Sequence, residues 1–219
     1  MKNTLNKTAM AMLLGSAALL PAMAQADLSA NASVTSNYLW RGMEQTDGGP
    51  AIQGGLDYSN ESGFYAGTWA SNVDFGDDAD FEIDFYAGFG GAMGEWEYDV
   101  GYILYMYPGT DDDIDAGEVY ANFSRGALTL GLATLANADG ADFGDSLYLS
   151  VDYGIALPND FELAVHAGSY TGDFVGEDAF DIGASVSKSG FTLGVTKLSQ
   201  DGGDEDLKAY VSYAMDFEL

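Results

Sequence analysis

One alternating stretch of the sequence decides the fold, Trp96-Glu-Tyr98-Asp-Val100-Gly-Tyr102-Ile-Leu104-Tyr-Met106. Apolar side chains occupy alternate positions, which is the period of a β-strand with one apolar face and one polar face. The same period recurs at residues 81–85, 147–155, 161–167 and 180–186. No window has the 3.6-residue period of a convincing amphipathic helix. The sequence therefore predicts an all-β protein.

Extending these segments along the chain gives twelve predicted strands. They cover residues 28–41, 51–59, 64–73, 81–90, 96–107, 117–124, 127–136, 147–157, 161–170, 179–187, 191–199 and 207–217. Each strand with its connection has about 16 residues, of which a membrane-spanning strand needs about 9–11. Ten strands remain an alternative if two weaker segments are not strands. The third strand has two rival outward faces, one with Phe64 and Ala66 and one with Tyr65 and Trp69.

The connections between the predicted strands alternate in length. Those after even-numbered strands are short, whereas those after odd-numbered strands, such as residues 74–80, 109–115 and 200–206, are longer and acidic. This alternation, with both chain ends on the short side, is typical of an outer-membrane barrel. An open sheet edge in hydrocarbon would leave unpaired backbone amides, which cost several kcal/mol each. We therefore predict a closed antiparallel transmembrane β-barrel over residues 27–219.

The first 26 residues have the pattern of a secretory signal peptide. Lys2 and Lys7 precede a short apolar segment at residues 9–20, and Ala24 and Ala26 are the small residues required before a cleavage site. The apolar segment is too short to span a bilayer as a helix. We expect export through the Sec pathway to the cell outer membrane, with the mature chain beginning at Asp27.

Charge and composition exclude several classes of function. The whole chain has a net charge of −28, and the predicted signal peptide contains two of the seven bases and no acid, so the rest has 35 acids, five bases and a net charge of −30. Nucleic acid and anionic lipid are poor partners for such a surface. The chain has no cysteine, so it has no disulfide, thiolate metal site or cysteine nucleophile.

Neither a cofactor nor an enzymatic activity is expected. His166 is the only histidine, which leaves too few ligands for a zinc site. A Ser-His-acid arrangement of His166 with Ser150 or Ser185 is the catalytic alternative, but no nucleophile motif accompanies it. Residues 111–115 resemble the start of a calcium-binding loop, yet Ala116 and Asn122 occupy its required glycine and glutamate positions. No metal site is therefore predicted.

A resemblance to a known family comes from the first half of the chain. Its residues are Ser36-Asn-Tyr-Leu-Trp-Arg-Gly42, Gln45-Thr-Asp47, Pro50-Ala-Ile-Gln-Gly-Gly55, Asp57-Tyr58, Ser62-Gly-Phe-Tyr65 and Trp69-Ala-Ser-Asn-Val73. They resemble the TorF-like porin family, also labelled Gcw_chp, densely over residues 33–105 and afterwards only in strand pattern. The resemblance implies a proteobacterial outer-membrane protein of porin type, and it supplies no catalytic residues.

Acidic residues on the polar face of the strands are the candidate pore lining, because an unpaired charge facing lipid is costly. They are Asp57, Glu82, Asp84, Glu97, Asp99, Glu118, Asp152, Glu162 and Asp181. Small residues such as Gly88 and Gly101 alternate with them and are expected to leave open volume. This pattern predicts a water-filled passage that prefers cations. The alternative is a lumen blocked by polar networks of Arg41, Lys208 and the tyrosines.

Aromatic residues near the predicted strand ends, among them Trp40, Tyr148 and Tyr170, are expected to form girdles at the two membrane interfaces. The final strand resembles the C-terminal signal that the barrel-assembly machinery recognises, although Leu219 replaces the usual terminal aromatic.

The leading hypothesis is passive diffusion of cations or small polar solutes, with outer-membrane lipid and lipopolysaccharide as surroundings. One alternative is a non-conducting structural or surface-interaction protein acting through acidic extracellular loops, and another is a soluble periplasmic barrel that binds an apolar ligand.

Overall fold

The computed structural model describes residues 27–76, 78–111, 113–172, 178–200 and 206–219. The predicted signal peptide, residues 1–26, lies outside the described residues, as do parts of four acidic connections. Within the described ranges, no helix is both long enough and apolar enough to cross a membrane.

Most of the described chain is β-strand. The strands are β1 (Asp27–Thr35), β2 (Leu39–Trp40), β3 (Met43–Glu44), β4 (Ala51–Ser59), β5 (Phe64–Asn72), β6 (Phe81–Met93), β7 (Trp96–Met106), β8 (Ala116–Arg125), β9 (Leu128–Ala138), β10 (Leu147–Leu157), β11 (Phe161–Thr171), β12 (Ala179–Lys188), β13 (Phe191–Gln200) and β14 (Leu207–Glu218). Strands β1 and β4 to β14 form one closed antiparallel barrel, in which each strand pairs with its neighbour in sequence. The first and last strands close the barrel, with Val34 opposite Tyr213. Closure satisfies the backbone groups that an open edge would leave unpaired.

The prediction of a closed barrel with twelve strands is confirmed, and the alternative of ten strands is wrong. Short connections follow β4, β6, β8, β10 and β12, at residues 60–63, 94–95, 126–127, 158–160 and 189–190. The longer connections lie at the opposite end of the barrel. The alternation of short and long connections therefore predicted the topology correctly.

Alternate residues of each strand face outward and are apolar. On β13, Leu193 is 60% exposed while its neighbour Thr192 is 4% exposed. Strand β5 places Tyr65 and Trp69 inward, where they line the lumen cavity, and leaves Phe64 outward. This result settles the ambiguity of the third predicted strand. The apolar outer surface is the one that hydrocarbon would contact.

The first predicted strand is too long. It was expected to run to residue 41, but β1 ends at Thr35 and the chain then turns into the barrel. Strands β2 and β3 form a small hairpin whose turn residues, Arg41 and Gly42, have φ angles of 49° and 79°. Two successive positive φ angles produce the tight turn of a two-residue hairpin and end an extended strand. We call residues 36–50 the inner loop.

Candidate functional site

The inner loop lies in the lumen and crosses it from one wall to another. Its tip residue Arg41 contacts Glu118 on β8. A Cβ atom at Gly42 would lie 3.0 Å from Cβ of Asp181, which is on β12. The hairpin tip therefore fills the space between strands that lie far apart around the barrel.

A buried ion pair holds the tip of the inner loop. The two terminal nitrogens of Arg41 donate hydrogen bonds of 2.8 and 2.6 Å to the two carboxylate oxygens of Glu118. Arg41 is 5% exposed and Glu118 is 3% exposed. Burial disfavours the charged guanidinium, but the Glu118 carboxylate outweighs this effect and raises the pKa of Arg41 above its usual value. The loop thus carries a permanent positive charge into an acidic lumen.

Three aromatic rings surround the same guanidinium. Its central carbon lies 4.2 Å from the ring centroids of Trp40 and Tyr148 and 4.9 Å from that of Tyr170. A cation at these distances is attracted to the negative faces of the rings. The prediction that Trp40, Tyr148 and Tyr170 belong to interfacial girdles is therefore wrong, because these rings face the lumen and contact Arg41.

Weaker contacts hold the rest of the inner loop. Glu44 forms a 3.0 Å ion pair with Lys208 on β14 and accepts a 2.6 Å hydrogen bond from the side-chain amide of Asn37. Both charged side chains keep about a fifth to a quarter of their surface exposed, 20% for Lys208 and 25% for Glu44. Tyr38 donates a 3.4 Å hydrogen bond to Glu82 on the barrel wall. The Arg41–Glu118 pair is the most buried of these ion pairs.

A recurring arrangement of tyrosine, glycine and aspartate covers the wall. Tyr65 on β5 lies across Gly88 on β6 and donates a hydrogen bond to Asp99 on β7. A Cβ atom at Gly88 would lie 2.3 Å from the Tyr65 hydroxyl oxygen, so only glycine leaves room for the ring. We call this arrangement a tyrosine bridge, since one side chain spans three strands.

Two further tyrosine bridges occur in the lumen. Tyr86 lies across Gly67 and donates to Asp57, and Tyr148 lies across Gly168 and donates to Asp181 at 3.0 Å. The expectation that small inward residues leave open volume is wrong at Gly88 and Gly101, because the rings of Tyr65 and Tyr120 occupy that space. The pattern of alternating residues could not reveal these rings, because they come from neighbouring strands.

His166 lies between two carboxylates. Its Nδ1 is 2.7 Å from Asp152 Oδ1, and its Nε2 is 2.7 Å from Asp181 Oδ2. Both ring nitrogens are therefore engaged with carboxylates, and in this conformation neither is directed to Ser150 or Ser185 as a base. Among the described residues, no group of three or more His, Cys, Asp or Glu side chains is arranged to hold a metal ion.

All nine acids of the predicted pore lining belong to the inward set of alternating residues. The structure brings Asp152 and Asp181 together at His166, and it pairs Glu118 with Arg41. Glu82 and Asp84 are two residues apart on β6, and Asp57 and Asp99 accept tyrosine hydrogen bonds. Glu97 and Glu162 are half-buried near the short connections, away from this cluster. Their role as a pore lining stays a prediction.

A cavity of about 320 Å³ adjoins the inner loop. Loop residues 37–41 form part of its wall, and Asp84, Asp99, Glu118 and Asp152 contribute carboxylates. Aromatic rings of the loop and the barrel line the same space. The lumen therefore combines the acids expected for a passage with the polar networks of Arg41, Lys208 and the tyrosines expected for a blocked lumen.

The sequence matches a known family over nearly its whole length. Residues 21–217 match the family described as "Bacterial protein of unknown function (Gcw_chp)". The chain belongs to this family. The match confirms the resemblance found at residues 33–105 and extends it through the second half of the barrel. No curated protein matches this Gcw_chp sequence significantly.

Structures of two porins are among the solved structures similar to this chain. The KdgM porin superposes with a TM-score of 0.57 at 8% identity, covering 87% of this chain and 99% of that porin. The KdgM porin in complex with disordered oligogalacturonate has a TM-score of 0.52 at 6% identity, covering 88% and 99%. A mutant of Rh. blastica porin has a TM-score of 0.47 at 21% identity, and the match covers 76% of this Gcw_chp chain but only 55% of that porin. The two superpositions on the KdgM porin show the fold.

Proposed function

We propose that the protein is an outer-membrane channel for small cations or polar solutes, in which the inner loop forms the constriction. The observation that supports this most directly is a cavity lined by carboxylates and aromatic rings and enclosed by a barrel whose outer surface is apolar. Carboxylates around a narrow lumen attract cations and repel anions. The inner loop narrows the passage because its tip contacts both β8 and β12.

The acid-lined lumen also favours a class of solute. The KdgM porin was solved with oligogalacturonate, an acidic oligosaccharide. An acidic oligosaccharide is a poor solute for this lumen, because carboxylates at Asp84, Asp99 and Asp152 line its cavity. Cations and neutral polar solutes fit the same surface better.

The apolar outer surface supports a position in the outer membrane, with lipid and lipopolysaccharide around the barrel. Export by the signal peptide at residues 1–26 and insertion by the barrel-assembly machinery complete this proposal. The exposed apolar side chains on β12 and β13, such as Phe180 and Leu193, would be costly in water as one continuous surface.

A second candidate is a non-conducting structural or surface-interaction protein acting through its acidic loops. One observation favours it: the inner loop and the tyrosine bridges fill much of the lumen. In this case the ion pair of Arg41 with Glu118 would be a permanent part of the core.

A planar-bilayer experiment separates the two candidates. The mature chain, residues 27–219, is refolded, its folding is verified by heat-modifiable migration on a gel, and current is recorded across a potassium chloride gradient. A channel gives unitary steps with a cation-selective reversal potential. A variant in which residues 39–44 are replaced by two glycines should give larger steps, because the hairpin that crosses the lumen is gone. If both folded proteins are silent, the channel proposal fails and the non-conducting candidate is favoured.

A further inference from the structure

One buried carboxylate in the lumen has an unpartnered oxygen. Asp84 is 2% exposed, and its Oδ1 receives no hydrogen bond from the described part of the chain. Oε2 of Glu82, two residues away on the same face of β6, is also unpartnered. The two carboxyl groups also hydrogen-bond to each other, and among the described residues no cationic side chain forms an ion pair with either. Burial of such an acidic pair without a counter-ion is unfavourable by several kcal/mol in general. Asp84 lines the cavity next to the inner loop, so a ligand there can reach it.

Aromatic side chains stand on both sides of this carboxylate. Trp69 on β5 and Tyr105 on β7 are the direct cross-strand partners of Asp84. Cross-strand partners on one face have Cβ atoms about 4.5–5.5 Å apart. Tyr38 of the inner loop packs its ring edge against Trp69, with centroids 5.5 Å apart, and donates to Glu82. Asp84 and all three of these aromatic residues line the same cavity.

The protein already contains one filled site of this composition. Glu118 with the rings of Trp40, Tyr148 and Tyr170 holds the guanidinium of Arg41. Asp84 with its rings has the same kind of carboxylate and the same kind of aromatic wall. Among the described residues, no cationic side chain forms an ion pair with Asp84.

We propose that Asp84, Tyr38, Trp69 and Tyr105 form a binding site for an organic cation with N–H donors, an ammonium or guanidinium compound. The positive group would donate a hydrogen bond to the free oxygen of Asp84 and lie against the aromatic rings. The cavity volume of about 320 Å³ lies at the lower end of the range for small-molecule sites. The biological role of this site rests on the proposed function, because the site names the class of solute that the channel would pass. Binding of the cation itself does not require conduction.

Three probes test the chemistry on the refolded mature chain in detergent by isothermal titration calorimetry, with empty micelles as the blank. Butylammonium has both the charge and the N–H donors, tetramethylammonium has the charge alone, and 1-butanol has neither charge nor N–H. Butylammonium should bind at least about tenfold more tightly than either of the other two probes. The loss of one charge-assisted hydrogen bond lowers affinity by about this factor. Equal binding of 1-butanol would overturn the proposal without any mutation.

Two matched variants locate the site. Asp84→Asn should weaken butylammonium binding by about tenfold or more, because the isosteric amide has no charge. Asp99→Asn removes one charge from the same cavity, but Asp99 already accepts a hydrogen bond from Tyr65, so binding should change less than about threefold. Equal losses in both variants would mean general electrostatic attraction and would refute a specific site.

Three further outcomes are distinguishable. If potassium chloride displaces butylammonium as well as butylammonium chloride does at equal ionic strength, the site does not select organic cations and the proposal fails. If butylammonium binds as expected while the bilayer stays silent, the channel proposal fails and the binding site stands. If the bilayer conducts but butylammonium does not bind, the site is refuted and the channel stands.

Discussion

Replacement of Arg41 by alanine should release the inner loop. The substitution removes two short hydrogen bonds to Glu118 and the contacts of the guanidinium with three aromatic rings. Breaking a buried ion pair by removing one partner costs about 3–5 kcal/mol. We use the lower limit, because Glu118 keeps a 3.2 Å hydrogen bond from Tyr105.

This loss of free energy corresponds to a change in the equilibrium between the docked and undocked positions of the inner loop. A free-energy difference of about 1.4 kcal/mol is a factor of ten in an equilibrium constant, so about 3 kcal/mol shifts the docked-to-undocked ratio about 100-fold. Lys208→Ala is the matched control, since it removes the ion pair of Lys208 with Glu44 of the same loop, which is less buried than the Arg41–Glu118 pair. Ion pairs that keep such contact with water contribute about 0–1 kcal/mol to stability. The docked-to-undocked ratio should therefore change at most about fivefold in this control.

Thiol labelling measures this ratio without requiring conduction. The chain has no cysteine, so Met43→Cys introduces a single thiol on the inner loop. Met43 packs against the buried cluster that includes Tyr148 and Tyr170, and a docked loop therefore shields it. The labelling rate of this thiol should rise about 100-fold with Arg41→Ala and at most about fivefold with Lys208→Ala.

The reasoning would be refuted if the two variants labelled at similar rates. It would also be refuted if Arg41→Ala labelled at the rate of the parent protein while retaining heat-modifiable migration. Either outcome would mean that packing of the hairpin, and not the ion pair with Glu118, holds the loop.

Two more predictions concern the barrel wall. Gly88→Ala should lower the free energy of unfolding by about 1–3 kcal/mol, because its Cβ would collide with the Tyr65 hydroxyl; Gly183→Ala, with its nearest contact at 3.3 Å, should change it by under about 1 kcal/mol. Urea titration in lipid vesicles checks this, and equal midpoints for both variants would contradict it. His166→Ala should lower the same free energy by about 3–5 kcal/mol, because it leaves the carboxylates of Asp152 and Asp181 without their shared partner. An unchanged urea midpoint would contradict that prediction.

Local periodicity was sufficient to predict the barrel wall. Strand β7 alternates clearly, with buried Asp99 and Tyr105 on one face and exposed Val100 on the other, so its facing followed from residue type alone. The facing of strand β5 did not follow from residue type, because Tyr65 and Phe64 are both large and aromatic. Its facing is determined by Gly88 on the neighbouring strand, which accommodates the Tyr65 ring.

The inner loop could not be located in the same way. Residues 36–41 continue the apolar alternation of β1, and the sequence does not distinguish a long strand from an inward hairpin at that point. Gly42, directly after Arg41, was the available signal, since glycine favours a positive φ angle in a hairpin turn. The contact of Arg41 with Glu118 joins positions 77 residues apart, which no local pattern reports.

The tyrosine bridges also determine which residues pair across the sheet. Alternation of polar and apolar residues rejects a strand that slips by one position, because every side chain would change face. It does not reject a slip of two positions, which leaves every face correct. In the native pairing of β5 with β6, Tyr86 lies opposite Gly67. A slip of two in either direction would place Tyr86 opposite Trp69 or Tyr65, where two large rings would compete for one space. The glycines therefore specify a single strand register. Hydrophobic alternation alone would also allow registers that differ by two residues.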